Sequence, residues 1–108
     1  MNSKEETLLN GMKYLNTNDL DNFNPTKAFE YYTKLAETGV EFSKVVLGAI
    51  LYIGMGEIEQ DIDKANSYFS QIEKYQNLDI NSWIIDFKAS CGKDSFYNSL
   101  FALARNYK

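Results

Sequence analysis

One offset organises this chain. Lys27-Ala28 recurs 37 residues later as Lys64-Ala65, and the same spacing pairs Tyr31 with Tyr68, Tyr32 with Phe69 and Leu35 with Ile72. Upstream it pairs Leu8 with Val45, Leu9 with Val46, Gly11 with Gly48 and Asn24 with Asp61. A period of this length marks a supersecondary unit that is copied and stacked, because one unit alone cannot bury its apolar face. A further step sets Trp83 and Ile84 opposite Val46 and Leu47. Beyond that the third copy degenerates, as a terminal unit does when its outer face meets water.

Each copy reads as a pair of helices. In the first, Leu8, Leu9, Met12 and Leu15 form an apolar helical stripe. Its partner starts at Asn24-Pro25, where an asparagine side chain can accept from a free backbone N–H and proline fits the first helical position. Ala28, Tyr31, Tyr32 and Leu35 then share a face, and Gly39 supplies the positive φ that closes a helix. The second copy runs from Phe42 to Tyr52, turns at Gly54 and Gly56, and restarts with Asp61 as cap and Ala65, Tyr68, Phe69 and Ile72 on its inner face. In the third, Asn77 or Asp79 caps a helix carrying Trp83, Ile84 and Phe87, Gly92 breaks it, and Asp94 caps a last helix with Tyr97, Leu100, Phe101 and Leu103.

The expected fold is therefore all-α: stacked antiparallel helix hairpins, about six helices, in one domain over residues 1–108. The units fall at about 4–39 and 40–76, with a degenerate capping unit at 77–108. At 108 residues the chain suffices for one modest core, and its 44% hydrophobic content can fill it. Gly11 and Gly48 sit inside helices, where glycine costs about 1 kcal/mol relative to alanine. Such a cost is tolerable if the missing side chain admits a crossing helix.

These segments resemble the Sel-one-like repeat family, relatives of the tetratricopeptide repeats. The resemblance lies in KAFEYYTKLAETG (27–39), LGAILYIGMG (47–56), KANSYFSQI (64–72) and the nine-residue step from Gly39 to Gly48. It is strongest over residues 24–75 and weaker over 4–23. Departures are a loop from Gly56 to Asp61 one residue longer than the family's turn, Ile85 at the helical glycine position of the third copy, and Thr17 and Asp19 in place of turn glycines. The resemblance implies a short right-handed α-α superhelix whose concave face binds proteins or peptides.

Composition excludes several chemistries. Histidine is absent, which removes the commonest general base, the serine triads and most zinc sites. The single cysteine, Cys91, allows no internal disulfide and suits a reducing compartment. With only Lys93 beside it, Cys91 reads as a partly buried structural thiol, with a redox role as the alternative. The stretch Asp19–Asn24 has alternating acids but puts Phe23 at a calcium-ligand position and lacks the required glycine. Gly54-Met55-Gly56 lacks the third glycine and the strand of a phosphate loop. No enzyme, cofactor or metal is expected.

A net charge of −4 argues against nucleic acid, which demands clustered cations; it suits a basic partner, but mild acidity is also the ordinary state of cytosolic proteins. The N-terminal residues lack the apolar run of a secretion signal, and Val45–Gly56 falls short of the about 20 residues that span a bilayer. A cytoplasmic protein away from membranes is the expectation. Aromatics make up 15% of the chain, more than a core of this size readily hides. Those at repeat positions read as packing. On first helices, which line the concave face in the resembled family, Tyr14, Tyr52 and Trp83 are candidate partner contacts, ringed by Lys13, Lys44 and Asp86. Trp83 also fits a plug at the end of the core. The leading function is a protein-interaction scaffold holding a partner protein or peptide. The alternative is a bacterial immunity protein or antitoxin that blocks a toxin's active site.

Overall fold

The computed structural model of the chain describes residues 10–16, 21–39, 42–73 and 78–89. The chain is all-α. Helix α1 is described from residue 10 and tightens into a 3-10 turn at Lys13–Leu15; α2 spans Pro25–Glu37, α3 Phe42–Ile53, α4 Ile62–Glu73 and α5 Leu78–Ala89. Among the described residues, β pairing is limited to one isolated bridge, Met55 to Ile58, inside a loop.

The helix starts follow from local chemistry. Asn24 Oδ1 accepts from the Lys27 N–H at 3.1 Å, with Pro25 as the first helical residue of α2. Asp61 Oδ1 accepts from the Lys64 N–H at 3.0 Å at the head of α4. Each satisfies a backbone donor that has no partner within the helix. Gly39 ends α2 with φ 94°, its N–H returning to the Ala36 carbonyl at 3.2 Å. After α3, Gly54 and Gly56 take φ 76° and 58°, which turns the loop back over the helix end. There the Gln60 amide donates to the Tyr52 carbonyl and the Asp61 N–H to the Leu51 carbonyl, closing two groups that the helix leaves open.

Helix α3 is the centre of the core and packs against both α2 and α4. Phe42, Val45, Val46, Leu47, Ala49 and Ile50 are all fully buried, so the helix is enclosed on most of its circumference, with Lys44 half-buried in its first turn. Met12 and Leu15 of α1, Ala28 and Tyr32 of α2, Ala65, Phe69 and Ile72 of α4, and Ile84 and Phe87 of α5 complete it. Tyr31, Leu35 and Tyr68, expected on inner faces, are half-buried at its margin.

The two helical glycines explain how closely the helices approach. A Cβ on Gly11 would lie 2.7 Å from Tyr31 Cδ1 and from Tyr32 Cζ, and one on Gly48 would lie 2.6 Å from Phe69 Cε1. An aromatic ring from the following helix fills the space each missing side chain leaves. The contacts are related by the 37-residue offset on both sides, as are three backbone-centred pairs. The caps at Asn24 and Asp61 are one pair, and the 3.0 Å bonds from Ala28 N–H to Asn24 O and Ala65 N–H to Asp61 O are another. The third is Asn24 N–H to Tyr14 O and Asp61 N–H to Leu51 O, both 2.8 Å.

One detail differs from the sequence expectation. Helix α5 begins at Leu78, so Asp79 lies inside its first turn and is not its cap. Asn77, Cys91 and the last helix expected from Asp94 fall outside the described residues, so five of the expected six helices are described.

Candidate partner-binding surface

The six candidate contact residues fall into separate groups. Lys13 and Tyr14 lie in the 3-10 turn that ends α1, with Lys13 exposed and Tyr14 half-buried. The Lys13 ammonium sits 5.1 Å from the centre of the Tyr14 ring, and a second ammonium, from Lys27, sits 5.0 Å from the same centre. Lys27 was absent from the sequence candidates, because its recurrence as Lys64 reads as a repeat marker and conceals its contact with α1. Tyr31 adjoins this group. Burial, then the nearby Tyr14 phenol, raises its hydroxyl above the ordinary value of 10.0, against a smaller lowering by a hydrogen bond from Asn10.

A second group is aromatic. The Trp83 ring stacks on Phe87 with centroids 4.9 Å apart and planes 14° apart. Tyr52 meets the same Phe87 at 5.5 Å, and Phe69 lies 6.3 Å from Phe87 and 6.4 Å from Tyr52. The Lys88 ammonium stands 5.3 Å from the Phe69 ring centre. Phe87 and Phe69 belong to the core, whereas Tyr52 and Trp83 remain half-buried. Trp83 therefore plugs the core with one face and keeps surface at its margin. One residue pair beyond it, Ile85 is 66% exposed and Asp86 is exposed. Ile85 was noted in the sequence only as a replaced glycine. Its outward direction depends on how α5 is rotated against α4, which one helix's pattern does not specify.

Lys44 is half-buried in the first turn of α3 and interacts with another group. Ser43, beside it, has a fully buried hydroxyl with no hydrogen-bond partner among the described residues. Among the described residues no group of three or more Asp, Glu or Cys side chains is placed to hold a metal ion, and no helix is long and apolar enough to cross a membrane.

The arrangement thus offers one cationic ring site at the end of α1 and one aromatic ledge where α3, α4 and α5 meet. Compared with known protein families, curated proteins and solved structures, the chain matches none.

Proposed function

We propose that this chain is a helical-repeat module that binds a partner protein, with the ledge of Tyr52, Phe87 and Trp83 as a contact surface. The observation that carries the reading is the ledge itself: Trp83 stacked on a core ring and only partly buried, near an isoleucine 66% exposed. Tyrosine and tryptophan supply large contact area at small entropic cost, and rings anchored from below are already in their bound geometry. The glycine–ring contacts and caps repeated at one offset support a stacked-repeat architecture. The resemblance to the Sel-one-like family is consistent with this, and with it comes the right-handed superhelix and a cytoplasmic role.

The test is site-specific photo-crosslinking from position 85 in the native host, repeated with Trp83→Ala. One defined protein adduct, with affinity lowered about 30-fold by Trp83→Ala, is expected, since a hot-spot aromatic contributes about 2 kcal/mol or more. Circular dichroism of the variant checks that the helices persist. No protein adduct from position 85 or position 52 in a folded chain removes the ledge as a binding surface.

A further inference from the structure

We propose that Lys13, Tyr14 and Lys27 form an anion-recognition site that takes a carboxylate-bearing, acidic segment of the partner protein. The inference rests on the partner-binding reading and names the partner's chemistry. Two ammonium groups converge on one ring, at 5.1 and 5.0 Å from its centre. Both lysines are exposed, so each ammonium is open to a ligand from solvent. Among the described residues neither forms an ion pair. The ring offsets each charge only in part, by about 0.5–1 kcal/mol at an exposed site. Carboxylates of an acidic segment would neutralise both ammonium groups through charge-assisted bonds of about 2.7–2.9 Å.

The site is held in place. Tyr14 O accepts from the Asn24 N–H at 2.8 Å, and Asn24 Oδ1 accepts from the Lys27 N–H at 3.1 Å, so one residue ties the two lysine-bearing backbones together. Packing does not require these residue types. The matching backbone bond one offset later ends on Leu51, and Ile50 and Leu51 occupy positions equivalent to Lys13 and Tyr14 with 0% and 5% exposure. Tyr31 keeps its proton at neutral pH and adds no opposing charge. Among the described residues no arginine fork is present and Asn24 already caps α2, so two point charges beside a half-buried ring suit a carboxylate. The local sign is thus opposite to what the net charge favours.

A hexaglutamate peptide, with hexalysine as control, tests this by amide-correlation NMR of the full chain. Saturable shifts at residues 13, 14 and 27 are expected with hexaglutamate only, weakening as salt rises. The pair Lys13→Gln with Lys27→Gln, both exposed and compatible with the fold, should weaken binding at least about tenfold. Absence of saturable shifts at Tyr14, or unchanged affinity in the double variant, overturns the site. Displacement of the peptide by inorganic phosphate at equal concentration overturns the carboxylate assignment. If hexaglutamate fails while the adduct from position 85 persists, this inference falls and the partner-binding reading stands; loss of the adduct alone removes that reading.

Discussion

Single residues here are chosen by what lies across from them. Glycine at position 48 forfeits about 1 kcal/mol of helix propensity, yet alanine would bring a methyl to 2.6 Å from Phe69 Cε1. Phe69 has little freedom to retreat, since it is fully buried with Tyr52 and Phe87 rings beside it. Overpacking of that kind costs about 1–3 kcal/mol, more than the propensity recovered. Gly48→Ala should therefore lower stability by about 1 kcal/mol or more, read as a reduced denaturant midpoint at unchanged slope. An equal or higher midpoint would show that the ring has room to shift. The paired glycines were visible in the sequence as a shared offset. What they face was not, because the partner ring comes from another helix.

At the scale of elements, each helix start is written in a short local string. Asn24-Pro25 and Asp61-Ile62 mark the heads of α2 and α4, and the side chains bond three residues ahead in both cases. Asp61→Ala should cost about 1 kcal/mol, and Asp61→Asn much less, since asparagine caps as well as aspartate. Hydrogen exchange at Ile62–Lys64 checks it, with faster exchange expected in the alanine variant only. Equal exchange in both variants would mean that the loop from Gly54 to Asp61 holds the helix head without the cap. Such strings are legible because three to four consecutive residues contain the whole interaction. Asp79 shows the limit: an aspartate near a helix start reads as a cap, but α5 already begins at Leu78.

The whole molecule is built around α3, and pH acts on it through a group at its edge. Tyr31 has its ionisation raised in the fold, first by burial and then by Tyr14. The unfolded chain loses this proton near the ordinary value of 10.0 while the folded chain retains it. The contribution to stability is therefore full below pH 10 and is lost as pH rises through the folded value. Denaturant midpoints measured on the alkaline side should fall more steeply for the parent chain than for Tyr31→Phe; identical slopes would remove Tyr31 as the cause. By itself the sequence determined the all-α class, the caps of α2 and α4, the terminating glycine at 39 and the identity of α3 as a buried helix, because propensity, capping and periodicity act over a few residues. Only the tertiary structure decided that Lys27 joins Lys13 at Tyr14, that Phe87 links Tyr52 to Trp83 and that Ile85 faces outward. Those depend on the rotation and spacing of one helix against another, which side chains distant in the chain set together.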